Sequence, residues 1–163
     1  MWGSIRVNKN FFNNLLSLID DRPKKYDIKT NEIRFETIEN LITQGKYYTE
    51  ERKKGFFQRD TLQKYSPRAI AENQKILLKN IFDIFNKHKT NYKIIINPLY
   101  NQIKLNNQDL DYLIQLFGRN NVFDFSGINK FTNDYNNYYE AIHYRPNIAR
   151  EIMNLIYQNE QNK

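Results

Sequence analysis

The sequence predicts an α/β fold with a parallel sheet. Two short runs of β-branched and aromatic residues, at 92–96 and 121–125, have the composition of buried strands. Between them, apolar residues recur at helical spacing. A strand, a helix and a second strand joined by short connections form a βαβ unit, and its crossover is expected to be right-handed.

A helix is predicted before this unit. It should begin at Ser66-Pro67, with the serine hydroxyl as the cap and proline at the first helical position. An apolar stripe then runs to about residue 86 and should face the core; its members are Ile70, Leu77, Leu78, Ile81, Phe82 and Phe85. The strand at 92–96 follows and ends at Asn97-Pro98.

The helix inside the unit and the last helix have recognisable ends. Asn107 is predicted to cap the former and Gly118 to close it, while Pro146 is predicted to open the latter. The apolar faces of the two helices are Leu110, Leu113, Ile114 and Phe117 in one, and Ile148, Ile152, Leu155 and Ile156 in the other.

Residues 1–65 are less regular. An apolar pattern suggests a short helix near the start, residues 27–42 suit a strand or a second helix, and residues 43–65 are typical of a long loop or lid. The pattern of the short helix is Phe11, Phe12, Leu15, Leu16 and Ile19. We therefore predict one α/β domain over 1–163, with a helical and loop region at 1–65 and a strand–helix–strand–helix core at 66–163.

Composition narrows the class of protein. The chain has no cysteine, which excludes disulfides and thiolate sites, and it shows neither a signal peptide nor an apolar run long enough to span a membrane. As given, the chain is expected in the cytoplasm; as part of a longer anchored protein it would belong to the cell envelope. The net charge is +7, but the basic clusters at 22–25, 52–54 and 87–89 are short and scattered, so a nucleic-acid-binding domain is a distant alternative.

The site loop is predicted at 126–146. In a parallel sheet the loops that follow the two strands share one edge, where ligands bind. Glu140 and His143 lie three residues apart, so on one helical turn they would be within hydrogen-bonding reach. The carboxylate would keep one ring nitrogen protonated and leave the other to take a proton from a serine or from water. The residues expected to support this loop are Asp124, Asp134, Thr132 and Asn97.

Other interpretations of these residues stay open. A histidine beside an acid is often only a structural pair. A carboxylate-bridged metal site would need more ligands than His88, His143 and their neighbours supply, and we expect no metal. The tyrosines near the loop could stack on sugar rings or simply pack between loop and sheet. The candidate substrate contacts are Tyr138, Tyr144 and Arg145.

One block of residues carries a family resemblance. Asp124-Phe125-Ser126, Thr132, Asp134 and residues 137–146 (NYYEAIHYRP) resemble the C-terminal block of bacterial SGNH-hydrolase-like proteins of the cell envelope, which are akin to the acyltransferases of exopolysaccharides and teichoic acids. The resemblance covers about residues 67–156. It implies a flavodoxin-like three-layer sandwich and ester hydrolysis or acyl transfer through a serine, with His143 as base, Glu140 as its orienting partner and no cofactor. The implied substrate is a polysaccharide or an acyl ester.

The chain departs from the family pattern at two points. Position 140 is Glu where the family has Asp, and the only counterpart of the family's nucleophile turn is Gly3-Ser4, with no strand before it. Ser4 is therefore the one candidate nucleophile of this chain. We expect the nucleophile half of the family to be missing from it, with a partner chain as a possible source. The alternative from another class is a non-catalytic domain of the same ancestry that binds a glycan or a protein.

Overall fold

The computed structural model describes residues 35–161, with side chains through Tyr157, and it divides the chain into two compact units, Met1–Thr49 and Glu50–Lys163. Ser4 and the helix expected near Phe11 lie outside the described residues. Residues 50–65 belong to the same unit as residues 66–163, and the prediction of one domain over 1–163 stays a prediction.

In the first unit, the described residues contain one helix, α1 (Glu36–Thr43). A strand or a helix was predicted for residues 27–42, and the described part of this range forms a helix. The helix ends where Gly45 adopts a φ of 68°, and the Lys46 N–H reaches back to the Leu41 carbonyl at 2.8 Å. This is the left-handed glycine ending that closes many helices.

The second unit alternates short helices and strands. In chain order its elements are α2 (Glu50–Lys53), β1 (Lys64–Tyr65), α3 (Glu72–Lys87), β2 (Ile94–Ile96), β3 (Ile103–Lys104), α4 (Asn107–Phe117), β4 (Val122–Asp124), β5 (Tyr138–Glu140), β6 (His143–Tyr144) and α5 (Pro146–Gln161). Single 3-10 turns at Arg119–Asn121 and Tyr135–Asn137 precede β4 and β5.

The predicted βαβ unit is confirmed. Strands β2 and β4 pair in parallel, with Ile95 opposite Phe123, and α4 lies between them in sequence. The described strands form three separate two-stranded pieces rather than one parallel sheet. Besides the β2–β4 pair, β1 pairs in parallel with β3, and β5 pairs antiparallel with β6. The α/β class and the parallel pairing are therefore established for the described residues.

Helices pack against both faces of the β2–β4 pair, because successive strand residues point to opposite sides. On one face, Ile95 and Phe123 pack with the buried Ile148, Ile152 and Ile156 of α5. Leu155, which was predicted to share that inner face, is exposed, so this part of the prediction is wrong.

The opposite face of the strand pair is covered by α3 and α4. There Ile94 and Ile96 pack with the buried Leu113 and Phe117 of α4. The predicted stripe of α3 is correct at Leu78, Phe82 and Phe85, which join this cluster, as does Ile70 just before the helix. It is wrong at Leu77 and Ile81, which are exposed.

The predicted start of α3 is also wrong. The helix begins at Glu72 rather than Pro67, because Ser66 is engaged beside β3. The Ser66 N–H donates to the Lys104 carbonyl at 2.8 Å, and its hydroxyl accepts from the Asn106 N–H at 3.1 Å. Residues 64–66 are therefore held along β3 and cannot begin a helix.

Helix α4 has the predicted ends to within one residue. The capping side chain belongs to Asn106, which accepts from the Gln108 N–H at 3.0 Å, so Asn107 is the first helical residue rather than the cap. Gly118 closes the helix as predicted, with a φ of 87°. Because only one 3-10 turn separates α4 from β4, this ending helps to set where the second parallel strand begins.

Candidate functional site

Glu140 and His143 are brought together by a hairpin. The helical turn predicted for them is wrong: Glu140 ends β5, His143 begins β6, and the two residues pair across the strands with Ala141-Ile142 as the connection. The predicted contact is present all the same, since His143 Nδ1 hydrogen-bonds with Glu140 Oε1. The other carboxylate oxygen, Oε2, accepts from the Ile142 N–H at 3.0 Å. One carboxylate thus holds both the histidine ring and the turn.

The hairpin is anchored to the loop that follows β2. The Tyr138 hydroxyl donates to the Pro98 carbonyl at 3.0 Å, and the Tyr100 N–H donates to the Ala141 carbonyl at 3.3 Å. The Tyr144 hydroxyl donates to Asn97 Oδ1 at 3.1 Å. The prediction that the loops after the two parallel strands share one edge is therefore confirmed.

The pair is open to solvent. The side chain of His143 is 71% exposed and that of Glu140 is 49% exposed. Such exposure weakens the electrostatic attraction between the two groups. It also leaves the unbonded Nε2 side of the ring accessible to a second molecule or a second segment.

The loop between β4 and β5 is built on buried hydrogen bonds. The Thr132 hydroxyl is fully buried, donates to the Gly127 carbonyl at 2.8 Å and accepts from the Asn129 N–H at 3.0 Å. Asp134 is exposed and accepts from the Asn136 N–H at 2.8 Å, which begins the 3-10 turn before β5. Both residues thus support the loop, and neither is hydrogen-bonded to the Glu–His pair.

Asp124 and Ser126 form a separate cluster with β3. The Ser126 hydroxyl donates to Asp124 Oδ1 and accepts from the Leu105 N–H at 2.9 Å. The Lys104 ammonium lies 3.2 Å from Asp124 Oδ2. Asp124 therefore fixes the start of the loop rather than the histidine.

No serine is hydrogen-bonded to His143 in the part of the chain that the structure describes. Within residues 35–161, the hydrogen bonds of His143 are to Glu140 alone, and neither Ser66 nor Ser126 is among its partners. Ser4 lies outside the described residues.

The three predicted substrate contacts differ in how far they are buried. Tyr138 is fully buried, so its predicted role in stacking on a sugar is wrong, and burial raises the pKa of its hydroxyl well above the ordinary value. Tyr144 is half-buried, and burial also raises the pKa of its hydroxyl. The Arg145 guanidinium donates to the Asn136 carbonyl at 3.0 Å, which ties β6 to the preceding turn. Substrate contact by Tyr144 and Arg145 stays a prediction.

Sequence reasoning missed Arg59. Its guanidinium carbon lies 4.1 Å from the centre of the Tyr100 ring, and the group donates to the Thr132 carbonyl and, at 3.0 Å, to the Asn133 carbonyl. Arg59 therefore joins the segment at 56–61, predicted only as part of a loop or lid, to both loops of the site edge. The one signal in the sequence was the pair Phe56-Phe57 close to this arginine.

The described residues contain neither a metal-binding cluster nor a membrane-spanning helix. Over residues 35–161 there is no group of three or more histidine, aspartate and glutamate side chains placed to hold a metal ion. In the same part of the chain, none of the helices combines the length and the apolar character needed to cross a membrane.

Comparison with protein-family models, with curated proteins and with solved structures found no match to this chain. The feature that bears on function is therefore the site itself, an exposed histidine–carboxylate pair at the carboxyl edge of parallel strands.

Proposed function

We propose that this chain is an SGNH-hydrolase-like domain of the flavodoxin-like three-layer type, which contributes the base to serine-type ester hydrolysis or O-acyl transfer on envelope polysaccharide. The observation that supports the proposal most is the hydrogen bond between His143 Nδ1 and Glu140, at the edge of the β2–β4 pair. Ligands of open α/β folds bind at that edge. The packing of helices against both faces of the strand pair supports the proposed layering.

The chemistry follows from which ring nitrogen is occupied. Glu140 accepts a hydrogen bond from the Nδ1–H, so the proton stays on Nδ1 and Nε2 carries the lone pair and acts as the general base. It takes the proton of a serine hydroxyl while the serine oxygen bonds to the acyl carbon. The ester C–O bond then breaks, and the imidazolium returns the proton to the departing alkoxide. Glu140 stays ionised and stabilises the imidazolium throughout.

The acyl group is then passed on by the reverse sequence. Water or a sugar hydroxyl gives its proton to His143 and attacks the acyl-serine carbonyl; the bond between the acyl carbon and the serine oxygen breaks, and the imidazolium returns the proton to that oxygen. Water as acceptor gives hydrolysis and a sugar hydroxyl gives transfer. The nucleophile is Ser4 or a serine of a partner chain, and the exposed His143 ring is open to a partner chain.

A matched pair of histidine variants tests the proposal. Hydrolysis of a chromogenic acetyl ester would be compared in the unmodified chain, His143→Ala and His88→Ala, the second being an exposed histidine at the end of α3. Loss of the general base should lower the rate about 10²–10⁴-fold in His143→Ala. The His88→Ala rate should equal that of the unmodified chain, and equal losses in both variants would contradict the proposal.

Ser4→Ala identifies the nucleophile in the same assay. A loss as large as that of His143→Ala assigns the role to Ser4. An unchanged rate assigns it to another serine or to water acting directly on the ester. No activity in the unmodified, folded chain would favour the second candidate function, a non-catalytic domain that binds a glycan or a protein. That candidate is supported by the lack of a hydrogen bond between His143 and any described serine.

A further inference from the structure

A groove lies beside the hairpin, outside the catalytic candidates. It has a volume of about 610 Å³ and lies between the segment at 56–61 and the loops that carry Tyr100, Ile128 and Asn133. This volume is within the range of small-molecule sites. Neither Glu140 nor His143 lines it.

The polar framework of the groove is held in place by long-range hydrogen bonds. Gln102 has a φ of 57°, a backbone conformation rare for a residue with a side chain, and it is buried. Its side-chain amide nitrogen, Nε2, donates to Asn133 Oδ1 at 2.9 Å and to the Thr132 carbonyl at 3.2 Å. The Asn133 side chain is thereby oriented before any ligand arrives.

The charged groups of the groove are already engaged. The Arg59 guanidinium donates to the carbonyl oxygens of Thr132, Asn133 and, at 3.4 Å, Tyr100. These carbonyl oxygens would repel an anion placed beside the arginine. The Asp60 carboxylate is ion-paired with Lys64. The groove therefore favours a ligand without charge.

Aromatic rings form one wall. The Phe57 and Tyr100 rings meet edge to face with their centres 5.6 Å apart, and Phe56 meets Tyr100 in the same way at 5.0 Å. Phe57 is 49% exposed, so part of its ring is open to a ligand. A half-exposed ring beside amide groups suits a ligand with an apolar face and hydroxyl groups around its edge.

We propose that this groove binds a neutral pyranose unit of a glycan, with the sugar ring against Phe57 and its hydroxyls toward Asn133. The Tyr100 N–H donates to the Ala141 carbonyl at 3.3 Å, so the wall of the groove is bonded to the turn between Glu140 and His143. A glycan held here places its neighbouring ester groups beside the base. This positioning role rests on the proposed function, whereas sugar binding itself does not.

The test is an NMR titration of the full chain with unreactive methyl β-glycosides of glucose, galactose and N-acetylglucosamine. We expect at least one glycoside to shift amide signals of the segment at 56–61 and of Asn133. Phe57→Ala should bind it roughly three- to tenfold more weakly, since it removes the stacking ring. Leu62→Ala changes a residue that is 79% exposed, directly follows this segment and lies outside the groove, and it should bind as the unmodified chain does.

Three results would overturn the inference: no shift with any glycoside, equal weakening in Phe57→Ala and Leu62→Ala, or tighter binding of methyl β-glucuronide than of the glucoside. The third would show that the groove selects an anion. His143→Ala separates this inference from the proposed function, because it should lower ester hydrolysis about 10²–10⁴-fold and leave glycoside binding unchanged. Binding by a chain without esterase activity would keep the groove and favour the non-catalytic candidate.

Discussion

Glu140→Gln should reverse the tautomer of His143. In the structure Glu140 accepts at both oxygens, from His143 Nδ1 and, at 3.0 Å, from the Ile142 N–H. Glutamine has one oxygen and one amide nitrogen. The backbone N–H of Ile142 can only donate, so it takes the oxygen and leaves the amide nitrogen facing Nδ1. Nδ1 must then accept, which moves the ring proton to Nε2.

The size of the effect follows from exposure. Hydrogen bonds to charged groups contribute about 1.5–3 kcal/mol, and the lower end applies to a pair whose side chains are 71% and 49% exposed. About 1.5 kcal/mol corresponds to a preference of roughly tenfold for the tautomer protonated at Nδ1 in the unmodified chain. The variant should lose that preference and favour the tautomer protonated at Nε2.

Long-range ¹H–¹⁵N correlation spectra distinguish the two tautomers when the imidazole is neutral. The matched control is Glu151→Gln, which replaces another exposed glutamate, one paired with Lys130 rather than with a histidine. The control should leave the His143 signals unchanged. The reasoning is refuted if the unmodified chain already carries the proton on Nε2, or if Glu140→Gln leaves the tautomer as it was. Ester hydrolysis should fall together with the tautomer change, since Nε2 would no longer accept a proton.

Two further predictions concern the loops that hold the site. Gly127→Ala should destabilise the fold by about 1–3 kcal/mol, because φ is 82° and a Cβ would lie 2.6 Å from Gln63 Oε1. The control is Gly118→Ala, where φ is 87° but no neighbour is nearer than 3.8 Å, so it should cost less free energy of unfolding in urea denaturation. An equal cost in the two variants would contradict the steric argument. Tyr138→Phe should cost about 1 kcal/mol by loss of the bond to Pro98. Because burial raises the Tyr138 pKa, the unfolded chain ionises first, so stability should fall as the pH rises above about 10, and less steeply in the variant.

The βαβ unit was predictable because its signals are local. A run of isoleucines at 94–96, an apolar face recurring at helical spacing and Gly118 at the helix end specify the order of elements without reference to distant residues. The parallel pairing then follows from chain path, which also places the loops after β2 and β4 at one edge.

Other local signals were overridden by distant partners. Ser66-Pro67 has the pattern of a helix start, but Ser66 is bonded to residues 104 and 106 and stays beside β3. The contact between Glu140 and His143 was predicted on a helical turn, whereas the two residues meet across a hairpin. A spacing of three residues brings two side chains together on a helical turn and also across a two-residue hairpin, so the spacing alone cannot choose between them.

The sequence by itself determined the α/β alternation, the edge at which the site lies and the pairing of histidine with carboxylate. Only the tertiary structure decided that Tyr138 is buried, that Asp124 belongs to a cluster with Lys104 and Ser126, and that Arg59 joins the site edge. The reason is physical. Periodicity and helix-end residues act over a few positions, whereas Arg59 bonds to carbonyls more than seventy residues away, and those partners exist only once the chain has folded.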